Sequence, residues 1–463
     1  MDLRLFSTSI LVVSFLLSFN AHLQSSEVDE ESFFDIQVDN DDNEFFEIQI
    51  NDDELEEVEG VSFSIDGSIK QGITYGLDSP SQLFTRNKKG IETVSTEVFL
   101  ITEGKPSENT KIKVSGLARL DWGNLINGQY SIGQSKLDLE LKDFFIDAML
   151  DSGLWIRLGN QIIARGQLEA VKITDIINPT DLSAPGQIDI KDMRTQVPAL
   201  FVSVPMGEAI LELAAIFDAG SDNFTSRANS FDPNIMANAQ GIFLKNLEPD
   251  NKWETVARLN YQLNGADISF VAADFNWNQL SARTLTLNED IGVMEYAPDR
   301  VTMFGFSGNV VRNDYLLKNE IALYDGRSFQ KDSALELPWV SRRHLVTALG
   351  LEYNGISDTT LSAEVNMANI LDYNQILAAE EYESGYLLQI RWSGLNELLN
   401  IFGAFNKLNG DNSSVTTVSV EYDLTDNVQL DSRIVLYNAN SDKDFLFPFK
   451  NHDVIKASIK YSF

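Results

Sequence analysis

The sequence predicts an all-β fold: a transmembrane antiparallel β-barrel of about eighteen strands, or sixteen if one segment is wrongly split. Three observations predict it. Beyond Gly60, apolar residues recur at every second position in segments of ten to fourteen residues, over roughly 400 residues. Outside the first twenty residues, no apolar run approaches the roughly 18 that a spanning helix needs. The connections between segments alternate between tight turns and long loops, and a spanning barrel requires this because its two rims face different compartments. A two-sheet soluble protein has no reason to sort loop lengths by parity.

Composition removes other classes. The chain has 463 residues, 35 Lys and Arg against 69 Asp and Glu, a net charge of −34, three His and no Cys. Such a charge repels phosphate backbones, so no nucleic-acid partner is expected. The absence of Cys removes disulfides, thiolate metal sites and Cys nucleophiles.

Residues 1 to 26 read as an export signal: Asp2 and Arg4 precede an apolar, Ser-dotted core from Leu5 to Phe19, with cleavage expected between Ala21 and Ser26. The alternative is a retained N-terminal anchor. Residues 27 to 60 form an acidic segment, with 16 Asp and Glu and no Lys or Arg as far as Glu59, too charged to build a core. It holds a tandem repeat: Phe33-Phe34-Asp35-Ile36-Gln37-Val38 returns twelve residues later as Phe45-Phe46-Glu47-Ile48-Gln49-Ile50. Three readings are open. The segment is a solvated tail, or a docking peptide in which Phe34, Ile36, Phe46 and Ile48 add as an extended strand to a periplasmic partner, or a cation site. The calcium pattern is poor, because Glu44 stands where the loop needs Gly and Ile50 where it needs Glu, so no metal or cofactor is expected.

Residues 61 to 463 supply the strands, predicted at 61 to 76, 92 to 104, 109 to 122, 137 to 150, 153 to 164, 196 to 205, 208 to 217, 252 to 263, 266 to 277, 301 to 312, 315 to 326, 344 to 355, 359 to 371, 384 to 394, 398 to 408, 413 to 423, 427 to 438 and 453 to 463. Tight turns are read at Asp151-Ser152-Gly153, Pro205-Met206-Gly207, Asn264-Gly265, Asn313-Asp314, Asn354-Gly355 and Thr425-Asp426-Asn427. With the N-terminal tail in the periplasm, every tight turn is periplasmic and every long loop extracellular. Parity breaks between Asp143 and Asp147, where a bulge or a shifted boundary is expected.

Alternation assigns the two faces. In the third segment Ile112, Val114, Ala118 and Leu120 oppose Lys111, Lys113, Arg119 and Asp121. A Lys or Arg facing lipid at mid-depth costs about 2 to 4 kcal/mol, so the charged set must line the lumen. The same parity turns Arg157, Gln161, Arg258, Arg391, Arg433, Glu352, Glu364 and Glu421 inward, either as an internal salt-bridge lattice or as a selectivity ladder. Trp122, Trp253, Trp277 and Trp392 lie near strand ends, as an interfacial girdle requires, whereas Trp155 shares parity with the inward Arg157. Eighteen strands enclose more space than wall side chains fill, so a channel or a plug is expected. Residues 165 to 195 combine both charge signs with rigid turns, and Arg165, Asn178, Pro179, Asp181, Asp189 and Lys191 mark this stretch as either a constriction folded inward or a plain extracellular loop.

The closing strand, with Ile455, Ala457, Ile459, Tyr461 and Phe463 on one face, resembles the sorting signature of Gram-negative outer-membrane barrels, which makes Tyr461 and Phe463 the insertion signal. Gly159-Asn160-Gln161, Gly166, Asn178-Pro179-Thr180-Asp181-Leu182 and Val197-Pro198 resemble the signature block of a large family of uncharacterised proteobacterial outer-membrane barrels, catalogued as a domain of unknown function. Met303-Phe304-Gly305-Phe306-Ser307 leading to Glu320, and the ending Asp453 to Phe463, match it too, while Arg165 replaces the Trp usual before that glycine. The resemblance implies an outer-membrane location, contact with outer-membrane lipids, lipopolysaccharide and the barrel assembly machinery, and an architecture similar to alginate-export porins. Members are often encoded beside transporters of the resistance-nodulation-division type, which implies traffic of lipids or hydrophobic compounds.

No enzyme is expected and no catalytic residue is assigned. His344 and His452 read as ordinary histidines at the extracellular rim, Ser333 and Ser341 have plain loop context, and no G-x-S-x-G sequence occurs. The function expected from the residues is passage of small solutes through a polar lumen. The alternative is the outer-membrane part of an export route for lipids or hydrophobic compounds, with a periplasmic partner docked on the acidic tail.

Overall fold

The computed structural model describes residues 62–78, 89–126, 129–184, 186–188, 190–223, 241–288, 291–331, 339–410, 412–441, 444, 446–447 and 450–463. The signal segment and the acidic repeat, with Phe34, Ile36, Phe46 and Ile48, lie outside the described residues. The strands are β1 (Ser62–Gly76), β2 (Gly90–Ser107), β3 (Thr110–Ile126), β4 (Gln129–Met149), β5 (Trp155–Gln161), β6 (Val197–Met206), β7 (Ala209–Ile216), β8 (Ile242–Asn246), β9 (Glu254–Leu263), β10 (Ala266–Asn276), β11 (Ser281–Asn288), β12 (Ile291–Ala297), β13 (Arg300–Arg312), β14 (Tyr315–Gln330), β15 (Trp339–Ile356), β16 (Thr359–Ile370), β17 (Tyr382–Gly394), β18 (Leu399–Lys407), β19 (Ser414–Thr425), β20 (Val428–Asn438) and β21 (Val454–Ser462).

Eighteen of these pair antiparallel with their neighbours along the chain, and β1 pairs with β21 from Ser68↔Ser462 to Gly76↔Val454, so the sheet closes on itself. Closure leaves no open edge where the ends of the chain meet, the condition for strands in hydrocarbon. Phe463 completes the seam: its N–H donates to the Gly67 carbonyl at 2.9 Å and its carbonyl accepts from Gly67 N at 2.8 Å. Tyr461 is exposed on the outer face and stacks on Phe463 at 6.1 Å.

Each of the eighteen predicted segments coincides with one barrel strand, with differences at the ends. β3, β4, β14 and β15 run four to eight residues farther toward the loop side than alternation suggested. There apolar and polar residues no longer alternate strictly, as in Gly123-Asn124-Leu125-Ile126, so the period-two signal fades while the ladder continues. Two loops taken as irregular contribute β8, β11 and β12, which form a separate three-stranded sheet with β12 parallel to β8. The turn assigned to Asn354-Gly355 lies instead at Ser357-Asp358, where Asp358 takes the left-handed conformation with φ 55°. The parity break is a bulge. Lys142 and Asp143 together face Ser115, whose hydroxyl donates to Asp143 Oδ2 and accepts from Asp143 N, both at 3.0 Å.

The outer wall is apolar, as on Leu349, Leu351, Val365, Leu388 and Ile390, while the alternate positions Gly350, Glu352, Glu364 and Gln389 are buried. Inverted burial of this kind suits a lipid solvent outside and a filled, polar interior. Trp253 and Trp392 are exposed near opposite rims, and Trp122 sits on the outer face, donating to Thr96 Oγ1 at 2.8 Å. Trp277 departs from the girdle expectation. It packs inside against Phe275 and Tyr324, beneath the Arg327 guanidinium at 4.0 Å, because it continues the inward parity of Val271, Ala273 and Phe275.

Candidate functional site

After Gln161 the chain does not continue up the wall. The segment from 162 to 196 enters the barrel and crosses it, reaching strands on the far side. The base is set by Asn178, which is fully buried: its Oδ1 accepts from Ile163 N at 2.8 Å and its Nδ2 donates to Thr195 O at 2.7 Å. Pro179 offers its carbonyl to Thr195 N at 2.9 Å, and Asp181 caps Ser183 N at 2.9 Å. Gln161, also buried, ties the last wall residue to Ala199 O at 2.9 Å.

Two wall carboxylates receive the loop. Glu320 on β14 accepts from Gln167 N, from Leu168 N at 3.2 Å, from Thr174 N at 2.8 Å and from Thr174 Oγ1 at 2.9 Å. Glu364 on β16 accepts from Glu169 N at 3.0 Å and Ala170 N at 2.6 Å. Beyond them Glu169 meets Gln389 Nε2 at 2.5 Å and Arg391 at 3.0 Å, on β17. That strand is nine places from β5 in either direction round the eighteen, so the loop reaches the opposite wall. Its return passes β19 to β21, where Gly186 O accepts from Thr417 Oγ1 at 3.3 Å and Gln187 O from Lys456 Nζ at 3.0 Å. Gly186 holds φ 73° with an added Cβ falling 2.7 Å from Val415 Cγ1, so only glycine fits that close approach.

Apolar packing fixes the same path. Leu168, Ile173 and Ile176 bury against Val271, Phe275, Val301, Met303 and Tyr324 of the inner wall, and Tyr324 donates to Ile173 O at 2.5 Å. Charged residues inside the loop are matched locally. Arg165 pairs with Glu212 at 3.2 Å, and Arg194 with Asp175 at 2.8 Å. Burial alone would raise the Asp175 carboxyl, but Arg194 and then Lys172 outweigh it and hold the group below the usual carboxylate range. Burial pushes the Lys172 ammonium down.

The remaining predicted lumen residues stand on the inner face of the wall, each with partners of its own. Arg157 makes a two-pronged pair with Asp147 at 2.6 and 3.0 Å and lies over the rings of Phe145 and Trp155. Arg119 pairs with Glu97, Glu352 with Lys318 at 3.3 Å, and Arg258 donates to Thr174 Oγ1 at 3.2 Å. Arg433 is buried beside Lys456 in the register, and half-buried Glu421 stands opposite Asp431. Asp189 lies outside the described residues, and Lys191 falls in a short 3-10 turn from Ile190 to Met193. Sequence reasoning missed the residues that hold the loop from the wall, namely Glu320, Glu212, Tyr324 and Lys456. Parity placed them inside but gave no reason to rank them above other inward residues.

The histidines are not surface residues. His344 is buried with Nδ1 2.8 Å from Arg327 Nη1, and His452 is fully buried with Nε2 3.2 Å from Glu92 Oε1. His344 sits within β15 opposite Tyr324 and His452 just before β21, both buried, so replacing either by Ala would leave a cavity rather than a neutral surface. Among the described residues no group of His, Asp or Glu is arranged to hold a metal ion.

A closed sheet that is apolar outside and charged inside, with one loop drawn across its lumen, defines a β-barrel of the outer-membrane class. The chain belongs to the family described as "Protein of unknown function (DUF1302)", whose profile matches residues 33–463. No curated protein matches the sequence. Among solved structures the chain is similar to OccAB2 of Acinetobacter baumannii, at 11% identity and a TM-score of 0.50, covering 87% of this chain and 98% of that one. It is also similar to the outer membrane protein opdK of Pseudomonas aeruginosa (9%, TM-score 0.47, 87% and 98% covered) and to OccK2 (OpdF) of the same organism in complex with glucuronate (11%, TM-score 0.48, 86% and 97% covered). At these identities the likeness concerns the fold alone.

Proposed function

We propose that the chain is a porin-like outer-membrane channel for small polar solutes, with its tight turns and N-terminal tail in the periplasm and its lumen narrowed by residues 162 to 196. The observation that carries this reading is the loop itself, which crosses to the opposite wall on buried carboxylates and leaves the wall from β18 through β3 charged. There Lys70 and Arg119 flank Glu97, Arg433 stands opposite Lys456 and Glu421 opposite Asp431 on neighbouring strands, so cationic and acidic patches lie side by side, a pattern suited to ordering a charged or strongly polar solute. Arg157, Arg258 and Arg391 serve the lattice and the loop. No chemical step is assigned to the protein, and the partners expected are outer-membrane lipids, lipopolysaccharide and the assembly machinery that reads Tyr461 and Phe463.

Single-channel recording of the refolded mature protein in a planar bilayer tests this. Stable ohmic steps of equal size are expected from the full mature chain and from a chain beginning at Gly60. Silence from a barrel shown on a gel to be folded would overturn it.

A second reading, an export route for lipids or hydrophobic compounds, is favoured by the acidic repeat, whose two alternating apolar segments suit addition to a partner's sheet edge. On that reading, deleting residues 27 to 59, or changing Phe34, Ile36, Phe46 and Ile48 to Ser, abolishes capture of a periplasmic partner and leaves the barrel folded. Unchanged capture by the deletion would remove the tail from the mechanism.

A further inference from the structure

Among the described residues the barrel wall is incomplete on one side. The ladder between β4 and β5 spans only Phe144↔Asn160 to Met149↔Trp155, because β5 is seven residues long and the chain then turns inward. β4 runs on toward the loop side as far as Gln129, and over that stretch β3 is its one paired strand among the described residues. β6 starts at Val197 opposite Gln161, so it does not fill the space either. The last tie at the corner is Asn160 Nδ2, donating to Lys142 O at 2.6 Å.

The gap lies at membrane depth. Leu139 and Leu141 pair with Ala118 and Gly116 on β3, four and six residues on the turn side of the girdle residue Trp122. Leu137, Leu139 and Leu141 point outward, and Leu139 at 72% is more exposed than any other large apolar side chain among the described residues. The alternate positions Lys136, Asp138, Glu140 and Lys142 turn to the lumen, with Lys142 and Glu140 paired at 3.0 Å. A strand edge cannot face hydrocarbon bare, since each unsatisfied backbone group costs several kcal/mol there. Such an edge persists in a membrane only where it borders protein or a hydrated cavity.

We infer that this notch is a lateral portal through which the zwitterionic head of an acyl-chain amphiphile passes between lumen and bilayer. The strand edge and the alternating Lys, Asp, Glu and Lys offer hydrogen bonds and both charges to a phosphate and an ammonium group. The leucine face and the open flank leave the chain in lipid throughout, so the amphiphile never crosses an aqueous path whole. This goes beyond the solute channel and stands whether or not the pore conducts ions.

The test uses the wild-type mature protein in phosphatidylcholine vesicles. A twelve-carbon phosphocholine carrying its photoreactive group on the head reaches mid-depth residues only where the wall is open. Cross-links are expected at residues 138 to 142 and 160 to 164, with none at the matching depth of the sealed wall, from Ala348 to Glu352. Alternate amides from Lys136 to Leu141 are expected to exchange with deuterium at least ~100-fold faster than those from Leu345 to Leu351. Protection of the β4 amides equal to that of β15 would show a sealed wall and overturn the proposal. Fast exchange without cross-linking at 138 to 142 would show a wet notch that admits no head group, and would overturn it equally.

Discussion

Replacing Glu320 by Ala is expected to release the constriction and raise single-channel conductance several-fold, with larger current noise. The carboxylate is buried and holds the loop through three backbone N–H groups and the Thr174 hydroxyl. Hydrogen bonds to a charged acceptor contribute about 1.5 to 3 kcal/mol each, and removing the acceptor strands its donors without water. The loop would lose about 3 to 5 kcal/mol of its anchorage, as breaking a buried charged network does. That is enough to depopulate the crossed position, while the barrel itself, held by eighteen ladders, stays folded. Conductance equal to wild type would show that apolar packing of Leu168, Ile173 and Ile176 suffices, and the clamp would lose its role.

A second large effect is expected at Gly159, where alanine should lower stability by about 3 to 5 kcal/mol, at the upper end of single substitutions. The residue sits within β5 at φ 138°, and an added Cβ would fall 2.1 Å from Phe144 O and 2.7 Å from Phe145 Cα. Both are backbone atoms, so no rotamer change relieves the clash, and the short β4–β5 ladder has only six rungs over which to spread it. Urea unfolding in vesicles, followed by loss of heat-modifiable migration on a gel, measures the effect. Wild-type stability of Gly159→Ala would mean that β5 can shift as a unit, which its fixed attachment to the loop base at Asn178 argues against.

The strands were legible because their environment is two-sided. Where one face meets lipid and the other a charged interior, each position is decided by its solvent alone, so Leu349-Gly350-Leu351-Glu352 writes its orientation into the chain. The bulge at Lys142-Asp143 was legible for the same reason, as a break in parity. Legibility stopped where both faces are alike. The loop-side extensions of β3 and β4 and the small sheet of β8, β11 and β12 carry no period, whereas the inward place of Trp277 is the parity of Val271, Ala273 and Phe275 carried one step further.

The site was legible in kind and not in detail. Arg165, Asn178, Pro179 and Asp181 stood out through turn chemistry and charge, and the structure puts all four in the loop or at its base. Glu320 and Glu364 looked alike as inward acids among many, and they became anchors only because residues 167 to 174 arrive in front of them. The histidines failed as surface residues because the groups they meet, Arg327 on β14 and Glu92 on β2, come from other strands and leave no local mark.

The sequence by itself determined a closed barrel of eighteen strands with an apolar outside and a charged inside, since solvent partition acts residue by residue and needs no knowledge of partners. Only the tertiary structure decided that residues 162 to 196 run through the lumen, which inward acids hold them, and that the ladder between β4 and β5 ends at Phe144 and Asn160. Each of these depends on contacts between segments more than a hundred residues apart, as from Gln167 to Glu320 or from Glu169 to Arg391. Such contacts are selected by the geometry of the closed ring, and no local pattern of residues encodes it.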